Sequence, residues 1–129
     1  MMKEITIYIC PICGNMIFML KNSGVIPVCC NQSMTEVIAN TSDGAFEKHV
    51  PVVSRNDRHV KVHVGEILHP MIKTHYIEGA AVLTNHGIYY RNFEPDNLPT
   101  VDFEIDPTEK VLAAYAYCNL HGLWRKDLT

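Results

Sequence analysis

Three short stretches in the last two-thirds of the chain carry side chains that can bind a metal. They are Glu47-Lys48-His49-Val50-Pro51, His69-Pro70 with His75 close behind, and Cys118-Asn119-Leu120-His121-Gly122. Four neutral imidazoles and one thiolate suit a redox metal of intermediate hardness, such as iron. Structural zinc prefers a closed tetrahedron of four ligands. A second set, Cys10, Cys13, Cys29 and Cys30, lies near the N-terminus. Two metal sites would then use all five cysteines and four of the seven histidines. The pattern implies a small two-iron redox protein.

The N-terminal cysteines read Cys-x-x-Cys and, later, Cys-Cys. The first spacing lets two thiolates on one turn chelate a single ion. The second departs from the zinc-ribbon form, where it too would be Cys-x-x-Cys. Adjacent cysteines have little freedom to aim both sulfurs at one ion, so a distorted angle at the metal is expected there. All-sulfur tetrahedral sites take zinc or iron, and a plain zinc clasp fits the spacing as well as iron does. A vicinal disulfide between Cys29 and Cys30 is a third reading.

The histidines divide by context. A lone histidine in a β domain is more often a surface or core residue than a ligand. His63 sits in regular strand alternation, His59 follows Asn56-Asp57-Arg58, and His86 is at a hairpin tip; all three take the plain reading. His49, His69 and His121 each lie within two residues of Pro or Gly, where a strand must break and loops present ligands. A loop opened at Pro70 can bring His75 to the same place. Cys118 and His121 are three apart on a turn, close enough to share one metal.

Those ligands need a scaffold, and the chain of 129 residues is long enough for a small domain and a compact β domain. Hydrophobic content of 47% and charged content of 19% are those of a globular protein. A net charge of −3 with no block of like charges argues against nucleic-acid binding. No apolar run reaches the roughly 18 residues of a membrane span, and the N-terminus lacks a signal-peptide stretch. A cytoplasmic location is the default expectation. In a reducing compartment closely spaced cysteines bind metal more often than they pair, and an odd count leaves Cys118 without a disulfide partner.

Residues 1–37 read as one unit. Ile5, Ile7 and Ile9 alternate with Thr6 and Tyr8 in a short strand leading to Cys10. Cys10 to Asn15 reads as a tight turn, Met16 to Leu20 as a strand, and Lys21 to Gly24 as a hairpin turn before Val25 to Val28. A unit below about 40 residues usually needs a metal or disulfide to fold. Asn40-Thr41-Ser42-Asp43-Gly44 reads as a linker, and residues 38–129 as a second domain. Val60, Val62 and Val64 alternate with polar residues, as do Val101, Phe103 and Ile105. Asn85-His86-Gly87 reads as the turn between strands Ala80 to Thr84 and Ile88 to Phe93, and Val111 to Tyr117 as an apolar strand delivering Cys118. Short strands and regular turns predict an antiparallel sandwich of the immunoglobulin type. The Cys…Trp…Cys pattern is missing, so a true immunoglobulin domain is not implied.

With these motifs in order, the chain resembles the desulfoferrodoxins, the two-domain form of superoxide reductase. Cys10-x-x-Cys13 with Cys29-Cys30 resembles the desulforedoxin-type iron centre. The three later stretches resemble the surroundings of the catalytic iron, and the likeness spans essentially the whole chain. It implies an all-β fold, with a small desulforedoxin-like metal-stapled domain ahead of the sandwich. It implies ferrous iron held by His49, His69, His75 and His121 in a plane, with the Cys118 thiolate on the axis. Such a site has a formal charge of +1 and an open sixth position that attracts superoxide. The thiolate opposite that position favours electron transfer. Superoxide, one electron and two protons would give hydrogen peroxide. Lys48 would steer the anion and orient a proton-donating water, and Glu47 would fill the sixth position in the ferric state. Read without the resemblance, Glu47 and Lys48 are an exposed ion pair worth under about 1 kcal/mol. The family also implies a homodimer and rubredoxin as electron donor. The competing readings are a two-iron electron carrier without substrate and a zinc-stapled binding module.

Overall fold

The computed structural model describes residues 5–40, 44 and 46–128. The chain divides into two compact units at Ile38 and Ala39, and each is described by itself.

The first unit is built from five short strands, β1 (Ile7–Ile9), β2 (Met16–Phe18), β3 (Val28–Cys29), β4 (Gln32–Ser33) and β5 (Thr35–Glu36). Strand β1 lies between β2 and β5, and β3 pairs with β4. Its core is minimal: Tyr8, Cys10 and Met34 are buried, with Ile17, Met19 and Cys29 packed against them. Lys21 to Gly24 is not the hairpin turn expected from sequence. Strand β2 pairs back onto β1, and β3 pairs forward onto β4. The intervening chain bends, with the Asn22 side chain accepting from the Gly24 N–H at 2.9 Å. The hairpin lies later. Cys29 pairs with Gln32, and the two residues between, Cys30 and Asn31, have φ of 52° and 60°. Two left-handed residues in a two-residue loop suit a type I′ turn, whose twist matches its strands.

The second unit begins with α1 (Phe46–His49), a single helical turn. Strands β6 (Pro51–Asn56), β7 (His59–Val64), β8 (Ile77–Thr84), β9 (Ile88–Asn92), β10 (Thr100–Glu104), β11 (Val111–Cys118) and β12 (Gly122–Asp127) follow. They form a three-stranded sheet, β10-β7-β6, and a four-stranded sheet, β12-β11-β8-β9, all antiparallel. Alternation sets the inward face. Val60, Val62 and Val64 from one sheet meet Ala80, Val82, Ala114 and Ala116 from the other, with Phe93, Phe103 and Ile105 filling the layer. This is the immunoglobulin-like sandwich expected. Of the expected linker, Thr41, Ser42 and Asp43 lie outside the described residues. Asn40 is tied to β12: its N–H donates to Leu123 O at 2.8 Å, and its Oδ1 accepts from Arg125 N at 2.9 Å.

Candidate metal centres

In the first unit the sulfurs of Cys10, Cys13, Cys29 and Cys30 lie within 4.8 Å of one another. All are free thiols, so Cys29 and Cys30 form no vicinal disulfide. The Cys10 to Cys13 turn is closed by Gly14 N donating to Cys10 O at 3.0 Å, and the Cys13 N–H points at Cys10 Sγ at 3.4 Å. The I′ turn resolves the awkwardness of adjacent cysteines, because Cys29 ends a strand while Cys30 takes the left-handed conformation. Cys13 Sγ and Cys29 Sγ are 3.6 Å apart; a tetrahedron with metal–sulfur bonds of ~2.3 Å has edges of about 3.8 Å. The Cys13 N–H, chiefly, holds the Cys10 thiol down to about 6. Hydrogen bonding to Cys13, chiefly, pushes Cys30 up to about 12, and hydrogen bonding to Cys10 raises Cys29. One thiolate forms readily and its neighbours resist a second charge, which is the balance a bound cation reverses. The residues therefore fit a four-thiolate metal.

The second centre is assembled at the strand ends of the sandwich. The helical turn closes with Val50 N donating to Phe46 O at 2.9 Å and puts His49 inside, 3% exposed. Ile67 N donates to Glu47 O at 2.8 Å and Gly65 N to Val50 O at 3.1 Å, drawing the His69 segment alongside. Gly65 has φ of +85°, and a Cβ there would stand 2.6 Å from Lys48 O, so this approach of two ligand segments requires glycine. Cys118 ends β11 just past a register shift against β8, and the Asn119-Leu120-His121 loop turns into β12 through Gly122 at φ +80°.

The four imidazoles form a closed square. Ring centroids are 4.6 Å apart for His49 and His69, 4.8 Å for His69 and His75, 5.2 Å for His75 and His121, and 4.9 Å for His121 and His49. Donor atoms of His49, His69, His75 and Cys118 lie within 4.8 Å of one another, and the ring of His121 closes the circuit beside them. The Nε2 atoms of His49 and His69 are 3.0 Å apart, and Cys118 Sγ is 3.4 Å from His69 Nε2. Cis nitrogens on bonds of ~2.1 Å would stand about 3.0 Å apart.

The electrostatics agree with a cation here. His69 Nδ1–H donates to Pro70 O at 2.6 Å, which leaves Nε2 as the bare nitrogen facing the cluster. Burial, with the charges of His49, His75 and His121, holds His69 down to about 4 despite Pro70, so it is neutral at pH 7. The Nε2 of His75 is buried without a hydrogen-bond partner. Such a group is costly unless something binds it. Burial pushes the Cys118 thiol up, while the N–H groups of Leu120 and His121 bond to its sulfur and pull the other way. Four donor atoms converge with the His121 ring beside them, and among them the buried His75 Nε2 has no hydrogen-bond partner.

Lys48 is exposed, and its charge contributes to lowering His75, after burial and His121. Glu47 is exposed and lines a groove of about 450 Å³ with Phe46, Val50, Pro51, Glu66 and Lys126. His59 pairs with Asp102 at 3.2 Å, His86 stands 3.9 Å from the Glu109 carboxylate, and neither they nor His63 join a metal-capable cluster among the described residues. Sequence reasoning did not single out Trp124. This residue, the one tryptophan of the chain, is fully buried. It stacks on His49 at 4.9 Å and 23°, and its Nε1–H donates to His121 O at 3.1 Å. Its singularity in the sequence was the available signal.

Comparison with known proteins finds likeness over nearly the whole chain. Residues 41–127 match the family described as Desulfoferrodoxin, and residues 2–37 match Desulfoferrodoxin, N-terminal domain. A desulfoferrodoxin of Nitratidesulfovibrio vulgaris is 40% identical over 128 residues, covering 98% of this chain and 99% of that protein. The crystal structure of the superoxide reductase from Treponema pallidum superposes with a TM-score of 0.81 at 34% identity, over 96% of this chain and 99% of that one. A superoxide reductase (1Fe-SOR) from Giardia intestinalis gives 0.56 at 30% identity, over 64% of this chain and 97% of that one.

Proposed function

The chain belongs to the desulfoferrodoxin family and is an oxidoreductase acting on superoxide, and we propose that residues 38–129 carry that reaction while residues 1–37 form an accessory metal domain. The observation that carries the proposal is the closed square of His49, His69, His75 and His121 with the Cys118 thiol against it. These five residues would hold iron, and Cys10, Cys13, Cys29 and Cys30 would hold a second iron or a zinc. Bound by these five residues, iron would supply the one-electron chemistry that reduction of superoxide needs.

The chain's own residues do the rest. His69 stays neutral near pH 7, so its nitrogen remains available as a ligand. The N–H groups of Leu120 and His121 stabilise negative charge on Cys118 sulfur against its burial. Lys48 brings positive charge to the His75 side, which attracts an anion and holds a water able to donate a proton. Glu47, two residues before His49 on the same helical turn, would close the site as a sixth ligand once the metal is oxidised. The spent electron returns from an external donor, rubredoxin in this proposal, in a homodimer of the cytoplasm. The exposed Ile12, Leu20, Val25 and Val28 of the first unit, 64–81% accessible, support an interface on that unit.

Superoxide given to the pre-reduced protein tests the proposal. One peroxide per superoxide consumed, with no oxygen released, is the expected result. Peroxide and oxygen in equal amounts would mark dismutation and overturn it. Lys48→Ala is expected to slow the second-order encounter by about 10-fold at low salt. The deficit should shrink as the screening length falls to roughly 8 Å near physiological ionic strength. Pulse radiolysis at two salt concentrations reads this directly, and an unchanged rate at both removes the steering role. Glu47→Ala should leave that encounter rate nearly intact but shift the ferric absorption band and open the site to azide or cyanide. A wild-type ferric spectrum with wild-type anion affinity would show that Glu47 is not the sixth ligand.

A further inference from the structure

His75 reaches the cluster from a tight loop rather than from a strand. Its own backbone groups are taken by Ile72: His75 N–H donates to Ile72 O at 3.0 Å, and Ile72 N–H donates to His75 O at 3.1 Å. The groups on either side go to a single residue, Asn119. Asn119 Nδ2 donates to Thr74 O at 3.0 Å, and Asn119 Oδ1 accepts from Tyr76 N at 3.0 Å. The Asn119 backbone N–H donates to Tyr76 O at 3.2 Å. Asn119 thus brackets His75, one residue before it and one after. It is also the residue that follows Cys118.

The pattern demands an amide. One arm must donate to a carbonyl while the other accepts from an N–H, and the two targets are two residues apart. Asparagine has both functions on one planar group; ionised aspartate only accepts, and an aliphatic side chain does neither. The loop has something to hold in place, because His75 Nε2 is buried with no hydrogen-bond partner. Until an ion binds that nitrogen, the loop gains nothing from keeping it dry, and rotation toward water would relieve it.

We propose that Asn119 is the positioning residue for His75. It locks the loop that carries His75 to the turn that carries Cys118, and so fixes the spacing between this imidazole and the sulfur. The inference rests on the proposed site of four histidines and Cys118. Asn119 itself binds neither metal nor substrate.

Zinc-loaded full-length protein with nitrogen-15 histidine tests this by NMR, because a metal-bound ring nitrogen is distinct from a free one. In wild type, His49, His69, His75 and His121 should all show a bound nitrogen. In Asn119→Ala the His75 signal alone should move to that of an unligated imidazole, with the other three still bound. The affinity of the site for zinc, by chelator competition, should fall about 10- to 100-fold, as for other residues that orient metal ligands. Asn119→Asp keeps the shape and the bond from Tyr76 N but loses the donor to Thr74 O. It should show the same selective release of His75, which guards against a folding defect in the alanine variant. Retention of all four histidines with unchanged affinity in both variants overturns the proposal. Simultaneous loss of all four also overturns it, since that marks a general structural role. If wild type shows no bound histidine, the metal site itself is wrong and the role of Asn119 falls with it.

Discussion

Cys118→Ser is expected to reduce superoxide reduction to the uncatalysed background while the sandwich stays folded. Cys118 is fully buried at the end of β11, and its sulfur lies 3.4 Å from His69 Nε2. Serine is smaller and keeps the backbone pairing with Ile77 and Gly122, so the fold has no steric reason to fail. The chemistry changes entirely. The N–H groups of Leu120 and His121, placed to support negative charge on sulfur, would face a hydroxyl that stays protonated near neutral pH. A neutral hydroxyl is a far poorer ligand for a divalent metal than a thiolate and donates little charge to it. Metal affinity at this centre should drop alongside activity, by about 10-fold or more. Pulse radiolysis on the variant, with metal analysis and a melting curve, checks all three parts. Near-normal turnover would remove Cys118 from the reaction.

Much of this candidate site was legible because residue types able to bind a metal stand out chemically. Each motif here is local: His49 before Pro51, His69 before Pro70, Cys118 three residues from His121. The strands that alternate cleanly, β7 and β10, were equally readable, because period-two burial leaves a mark in the sequence. What escaped is what depends on pairing across distance. Helix α1 has four residues and so no periodicity. Strand β12 buries Leu123 and Trp124 in succession, which hides its alternation. The I′ turn at Cys30 and Asn31 uses two non-glycine residues at positive φ, so the usual glycine signal for that turn is missing. The roles of Gly65, Asn119 and Trp124 come from a close approach, a bracket of hydrogen bonds and a stacked ring. Each joins segments far apart in sequence, and no local pattern encodes it.

Cys13→Ser is expected to empty the first centre and disorder the first unit while sparing the reaction of the second. The first unit has little else to hold it. Its buried core is Tyr8, Cys10 and Met34, and one of those is itself a thiol of the cluster. Cys13 Sγ sits 3.6 Å from Cys29 Sγ, and a hydroxyl in its place leaves three thiolates where a closed site needs four ligands. For so small a unit, metal binding is a large share of folding free energy. The second unit stands differently. Its core runs through both sheets, from Val60, Val62 and Val64 to Ala114 and Ala116, and at about 90 residues it can bury enough surface to fold unaided. Metal analysis should therefore show one centre lost and the other retained. Amide hydrogen exchange should rise across residues 5–38 and not within β7, β8 and β11. With the remaining centre reduced beforehand, the first encounter with superoxide should keep its rate, even if the melting temperature falls. Collapse of that first turnover with the second metal still in place would make the four-cysteine centre an obligate participant and overturn the division of labour between the two units.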